Sequence, residues 1–210
     1  MADGSITAPG PRFERTVAWA TSIARDGRER DHEPALAHRL AVTAVLLSTG
    51  ATTTEAAAAL LLDVRAAGRR QQTARQRARR NVGRKVARLA RAVYVGRRSW
   101  RTHGRGVLAQ LRDPATAESV LRVRGADLQV GARAIVTELR RNGPEAWHRH
   151  GASAVDQLWY HRSASLALGQ RLPGILADEL QVAVREMEQL AAWWFDVGDP
   201  QLVTRPRRSR

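Results

Sequence analysis

The sequence contains no cysteine and only one lysine, and it has few aromatic residues and no long apolar run. Without cysteine there is no disulfide, thiolate metal ligand or cysteine nucleophile, so any chemistry must use His, carboxylate, hydroxyl or Arg side chains. The longest apolar run, residues 56–62, is far shorter than the roughly 20 residues that a membrane-spanning helix needs. The start MADGSITAPGPR has no apolar segment typical of a signal peptide. These absences predict a soluble, cytoplasmic protein without a membrane partner.

Basic residues outnumber acidic ones by 35 to 20, which gives a formal net charge of +15. The excess lies in one segment, because residues 65–105 contain 15 basic residues and no Asp or Glu. Such a segment attracts polyanions: an anionic nucleotide, a nucleic-acid backbone or an acidic protein partner. The residues expected to contact a polyanion are Arg77, Arg79, Arg80 and Arg84. A solvated basic surface that reflects an arginine-rich genome is an equal alternative.

Apolar residues recur at helical spacing along most of the chain, and no alternating strand pattern or internal repeat is apparent. The spacing predicts helices around residues 36–47, from 55 onward, 86–93, 120–139, 158–168 and 176–194. We therefore predict an all-α, helical-bundle fold class with a single domain over residues 13–198. Residues 1–12 are expected to be a flexible N-terminus, and residues 199–210 a disordered basic tail.

Polar residues and glycines predict where several of these helices begin and end. Thr52 is one of three successive threonines that offer an N-cap for the helix from residue 55. Residues 96–106 are predicted to form a loop, and Asp113 followed by Pro114 is predicted to start the next helix. Gly143 is expected to end that helix.

The tryptophans are the largest apolar side chains of the sequence. Trp147, Trp159, Trp193 and Trp194 lie in apolar helical stretches. We expect all four to pack in the core.

Five segments of the chain together resemble a known family. They are ARDGR at residues 24–28, EPALAHRLAV at 33–42, AALLLDVRAAG at 58–68, VGRKVARLA at 82–90 and VRGADLQVG at 123–131. Their order and spacing resemble the HD-domain phosphohydrolases, in particular the small branch similar to the (p)ppGpp hydrolase domain of RelA/SpoT proteins. The resemblance covers most of the chain and implies an HD-domain-like arrangement of its helices.

In that family two imidazoles and two carboxylates hold a divalent cation such as Mn²⁺, which activates a water molecule. The resemblance places His38, Asp63 and Asp127 at three of the four ligand positions. Leu62 stands where the family has the second histidine, and a leucine has no lone pair to donate. One protein ligand is therefore lost, and we expect cation binding to be weak or absent.

A second departure from the family affects the attacking water. The resembled hydrolases carry a Glu–Asp pair three and four residues after the metal-bound Asp, and these positions hold Ala66 and Ala67 here. The chain therefore resembles a degenerate HD domain, a pseudoenzyme that keeps its helices and has lost its hydrolytic chemistry.

The candidate ligands also have simpler interpretations. His38 can be a hydrogen-bonded core or cap residue. Asp63 and Asp127, if buried, each need a cation, an arginine or a capping role. Because all but one of the 35 basic residues are arginines, an arginine is the expected partner.

Three functions stay open on the sequence. The first is a nucleotide-binding or regulatory pseudoenzyme, with Arg28 and Arg30 at positions where the family places basic ligand contacts. The second is an active metal-dependent phosphohydrolase with a three-ligand site, and the third is a sequence-nonspecific nucleic-acid binder that acts through residues 65–105. We favour the first, because independent parts of the hydrolytic site are missing together.

Overall fold

The computed structural model describes residues 10–26, 35–62, 80, 82–95, 100–149 and 152–197. The regular structure of these residues is entirely helical, which confirms the predicted all-α class. Its α-helices are α1 (Pro11–Asp26), α2 (Ala35–Ser48), α3 (Thr53–Ala59), α4 (Arg84–Val93), α5 (Trp100–Arg112), α6 (Glu118–Asn142), α7 (Ala146–Arg149), α8 (Ala154–Arg171) and α9 (Ile175–Val197). Among the helices so described, none is long and apolar enough to cross a membrane.

The chain forms two compact units. The first unit holds the described residues up to Tyr94 together with residues 122–127 of α6. The second unit holds residues 95–121 and the described residues from 128 onward. The single domain over residues 13–198, with its flanking segments 1–12 and 199–210, stays a prediction.

Small and aliphatic side chains form the core of the first unit. Helix α3 is buried from Glu55 to its end, where four consecutive alanines follow, and their small side chains let α2 approach closely. The hydroxyl of Thr43 on α2 donates to the backbone carbonyl of Ala56 at 3.3 Å. The apolar side chains of this unit that are fully excluded from solvent are Ala20, Val42, Leu46, Ala56, Ala58, Ala59, Leu60, Val93, Val123 and Ala126.

A capping box starts α3, as the threonines predicted. The hydroxyl of Thr52 accepts a hydrogen bond from the Glu55 backbone N–H at 3.3 Å, and the Glu55 carboxylate accepts one from the Thr52 backbone N–H at 2.7 Å. Each side chain thus satisfies a backbone donor that the first helical turn leaves without a partner.

In the second unit, α5, α6, α8 and α9 surround a core that includes Trp147, Leu111, Leu139 and Met187. Trp147 is only 2% exposed, as expected. Trp159 and Trp193 are each 53% exposed, so the expectation that they pack in the core is wrong. On a helix that buries only one face, a residue next to the apolar face can point to solvent, and both tryptophans lie at such positions. The side chain of Trp194 lies outside the described residues.

Two predicted boundaries in the second unit are also wrong. The predicted loop 96–106 is helical from Trp100 onward, where α5 begins. The glycines that suggested a loop allow close packing instead, because a Cβ atom built on Gly104 would lie 3.2 Å from the ring of Tyr160.

Asp113 does not start a helix. Its carboxylate accepts from the Ala115 backbone N–H at 2.9 Å, and α6 begins five residues after Asp113, at Glu118. In a turn, an aspartate side chain accepts a hydrogen bond from the backbone N–H two residues later, and at a helix start it caps the first turn. The sequence alone does not distinguish these two roles. The predicted end of α6 is confirmed, because the helix stops at Asn142 and Gly143 follows with φ +61°.

Candidate functional site

The first unit brings together two residues that the sequence named as candidate ligands. Nε2 of His38 on α2 lies 2.8 Å from Oδ1 of Asp127 on α6, although 89 positions separate the two residues in the chain. Residues 122–127 are the part of α6 that belongs to the first unit, so the pair lies wholly within that unit. Each side chain is about a quarter exposed or less.

A buried arginine completes this arrangement. Arg124 lies one helical turn before Asp127, and its NH1 atom donates to Oδ2 of Asp127 at 2.8 Å. The NH2 atom of the same guanidinium donates to the backbone carbonyl of Val93, the last residue of α4. Arg124 is 4% exposed, so its charge is compensated mainly by Asp127 and by the carbonyl dipole. We call His38, Arg124 and Asp127 the buried triad.

The triad holds Asp127 in its ionised form. Burial alone raises the pKa of Asp127, but the hydrogen bond from His38 and the positive charge of Arg124 outweigh it and lower the pKa from 3.8 to about 2. An ionised carboxylate can only accept hydrogen bonds, so the hydrogen of the His38–Asp127 bond sits on Nε2 of His38.

The atoms of His38 and Asp127 that a divalent cation would use are engaged by other groups. A ring nitrogen that carries hydrogen has no lone pair for a metal, and the positive guanidinium of Arg124 occupies the second oxygen of Asp127. Leu62 is buried and apolar at the position where the resembled family has a ligand. Within the described part of the chain, no group of three or more His, Asp or Glu side chains is placed to hold a metal ion.

Several predicted site residues lie outside the described residues. They are Arg28, Arg30, Asp63, Ala66, Ala67, Arg77 and Arg79. Of the four arginines expected to contact a polyanion, the structure describes Arg80 and Arg84, and both are exposed.

The sequence did not single out Arg124 as the partner of Asp127, although it favoured an arginine. The sequence does show that Asp127 follows Arg124 at the i, i+3 spacing, which places both side chains on one face of a helix. With arginine so frequent, such a spacing alone does not identify one partner.

A second carboxylate of this unit is satisfied in a similar way. Glu55, which closes the capping box of α3, is buried, and its Oε1 atom lies 3.8 Å from NH1 of Arg122. Arg122 and Arg124 therefore each bring a positive charge from α6 to a carboxylate of the first unit.

The chain matches no protein-family model and no curated protein.

Proposed function

We propose that the chain is a degenerate HD-domain protein that binds an anionic nucleotide and does not hydrolyse it. The observation that carries this proposal is the buried triad. Two residues at the family's ligand positions, His38 and Asp127, lie 2.8 Å apart as a shared site requires, yet the nearby positive charge belongs to Arg124. A guanidinium thus takes the electrostatic role that a divalent cation has in the resembled hydrolases.

Loss of hydrolysis follows from the chemistry of these residues. A guanidinium neutralises a carboxylate but does not lower the pKa of a bound water as a divalent cation does. Ala66 and Ala67 offer no general base at the positions where the family has carboxylates, and such assistance is worth roughly 10²–10⁴-fold in rate. We therefore infer that the site binds without turning over its ligand.

The ligand class follows from the resemblance and from charge. Guanosine polyphosphates are the substrates of the resembled hydrolases, and the family's basic ligand contacts fall on Arg28 and Arg30. These arginines carry the specificity for phosphate in this proposal.

The test measures binding and turnover on the same full-length protein. We expect saturable binding of ppGpp by calorimetry, and no release of pyrophosphate above a blank when Mn²⁺ is added. The double variant Arg28→Gln/Arg30→Gln should weaken binding about a hundredfold or more, since each of the two lost charge-assisted contacts costs roughly 1.5–3 kcal/mol. Arg112→Gln, which removes an exposed arginine of the second unit, is the control and should bind normally.

Two results contradict the proposal. Turnover that depends on Mn²⁺ and is abolished by Asp127→Asn identifies an active hydrolase with an altered ligand set. Absence of ppGpp binding in the wild-type protein removes the nucleotide from the proposal altogether.

A rescue experiment tests the role of Arg124 directly. Leu62→His with Ala66→Glu and Ala67→Asp restores the family's residues, but Arg124 still neutralises Asp127. We expect this triple variant to bind Mn²⁺ measurably only when Arg124→Gln is added, and to gain metal binding before it gains rate. Equal Mn²⁺ binding with and without Arg124→Gln contradicts the substitution of a guanidinium for the cation.

A further inference from the structure

Helix α4 carries a positive face that the proposed nucleotide site does not use. Val86, Leu89 and Val93 are buried, while Arg84, Lys85, Arg88 and Arg91 are exposed. The helix contains no acidic residue. Its buried face attaches it to the first unit, and its opposite face is entirely basic or small.

Four exposed cations lie together on α4, which has no acidic residue of its own. Four exposed arginines elsewhere are paired with carboxylates on neighbouring helices: Arg101 with Asp156, Arg133 with Glu179, Arg140 with Glu186 and Arg162 with Glu188. Within the described residues, the four cations of α4 form no ion pair. No described carboxylate neutralises them, and so many like charges on one helix attract an anion.

The spacing of these cations suits an extended anion. Arg84, Arg88 and Arg91 follow one another at intervals of four and three residues, so they form a row along one side of the helix. Seven residues of helix rise about 10 Å. A nucleic-acid strand carries one negative charge per nucleotide, so a row of this length can contact successive phosphates. A compact nucleotide would instead need cations that converge on one point.

An exposed aromatic ring lies at the end of the row. Tyr94 directly follows α4 and is 45% exposed. The guanidinium of Arg124 binds the carbonyl of Val93, the residue before it, and so fixes the backbone there. The C-terminus of a helix carries partial negative charge, which disfavours a phosphate at that point. An uncharged base is the part of a nucleotide that fits this position.

We propose that the exposed face of α4 together with Tyr94 binds single-stranded nucleic acid. Arg84, Arg88 and Arg91 contact the backbone phosphates, with Lys85 beside them, and the ring of Tyr94 stacks on one base. The site reads no sequence, because phosphates and base faces are common to every nucleotide. It is independent of the nucleotide site, since none of its residues belongs to the buried triad or to the Arg28–Arg30 pair.

Fluorescence anisotropy with a labelled twelve-residue oligo(dT) tests this proposal on the full-length protein. On a single strand, each phosphate contact adds about −0.7 to the slope of log affinity against log salt concentration. The four cations of α4 should therefore give a slope near −3. The triple variant Arg84→Gln/Arg88→Gln/Arg91→Gln should reduce the slope to about −1. A control variant of equal charge, Arg112→Gln/Arg141→Gln/Arg185→Gln, replaces three arginines of the second unit and should change the slope little.

The contribution of the ring is measured separately. Tyr94→Ala should weaken oligo(dT) binding about tenfold through loss of stacking, and Tyr94→Phe should retain it. All of these positions are exposed, and unchanged circular dichroism of each variant verifies that α4 still forms.

Three results overturn the proposal. The first is an equal loss of slope in the α4 variant and in the control variant, which indicates attraction by net charge alone. The second is that duplex DNA binds as tightly as oligo(dT) and that Tyr94→Ala does not weaken the binding of either. The third is poly-glutamate that competes as strongly as oligo(dT) at equal charge, which assigns the face to an acidic protein.

Discussion

Both carboxylate oxygens of Asp127 accept hydrogen bonds, one from the imidazole of His38 and one from the guanidinium of Arg124. Removing one member of a buried ion pair costs more than the pair contributes, because the other charge stays behind in a poorly solvated place. Arg124 is the most buried of the three, so its replacement leaves Asp127 and the Val93 carbonyl without their main donor. The triad is thus a point where single substitutions have large effects.

We expect Arg124→Met to lower the free energy of unfolding by about 3–5 kcal/mol. The double variant Arg124→Met/Asp127→Leu should recover most of this loss, because it removes both charges and fills the space with apolar atoms. Urea unfolding followed by circular dichroism measures both. A double variant that is as unstable as the single one would show that the loss comes from packing and not from charge.

Acid should weaken the first unit through Asp127. Its folded pKa is about 2 and its ordinary value is 3.8, so the folded state holds the ionised form more tightly than the unfolded state does. The resulting stabilisation, roughly 2 kcal/mol, is complete above about pH 4 and is lost as the pH falls towards 2.

Urea midpoints at pH 6 and at pH 2.5 test this sign. We expect the difference between wild type and Asp127→Asn to shrink markedly at the lower pH. Asp178→Asn, at an exposed position of α9, is the matched control and should leave the pH dependence unchanged. A constant difference across this range is inconsistent with an ionised, stabilising Asp127.

At the scale of the helix, two glycines of the second unit have opposite surroundings. A Cβ atom built on Gly106 in α5 would lie 2.2 Å from Cγ1 of Val95, whereas one built on Gly131 in α6 meets nothing within 4 Å. A branched valine has little freedom to move aside. Gly106 is therefore required because no larger side chain fits, whereas Gly131 only lowers the stability of its helix through the loss of backbone entropy.

Gly131→Ala should stabilise the protein by about 0.5–1 kcal/mol, because alanine loses less backbone entropy in a helix. Gly106→Ala should destabilise it by about 1–3 kcal/mol, as an overpacked core does. Thermal unfolding of the two variants gives the comparison, and Val95→Ala combined with Gly106→Ala should recover the loss. Stabilisation by Gly106→Ala alone would contradict the steric argument.

Helix starts and ends were predictable where one residue had one available role. The three threonines before Glu55 predicted an N-cap for α3, which the structure assigns to Thr52, and Gly143 adopts the positive φ that ends α6. The error at residues 100–106 arose because a glycine marks either a loop or a close approach, and only the position of Tyr160 distinguishes the two. Local patterns do not contain that information.

On the scale of the whole chain, periodicity was sufficient to predict the all-α class, but the partition into two units was not predictable. Residues 122–127 belong to the first unit although the segments on both sides of them belong to the second. No composition change marks these six residues. The pairing of His38 with Asp127 was suggested by the family resemblance, whereas the choice of Arg124 as their partner depends on tertiary packing.

Net charge gives a prediction at this same scale. A formal charge of +15 opposes the compact state through self-repulsion, and salt screens it, since the Debye length falls from about 10 Å at 0.1 M to 3 Å at 1 M. Surface ion pairs such as Arg101–Asp156 contribute little, typically about 0–1 kcal/mol each. We expect the midpoint of thermal unfolding to rise between 20 and 300 mM NaCl. Each kcal/mol of repulsion that the salt screens should raise it by about 2–4 °C. A fall over this range would mean that exposed ion pairs outweigh the repulsion.

The membership of residues 122–127 in the first unit bears on the order in which a ribosome delivers the chain. When Tyr94 leaves the exit tunnel, Arg124 and Asp127 have not yet emerged, so His38 and the end of α4 lack the groups that later bind them. At about 5–20 residues per second, the missing helical turn follows several seconds later. During vectorial synthesis the N-terminal unit is therefore finished only after the whole first segment of the second unit, residues 95–121, has been made.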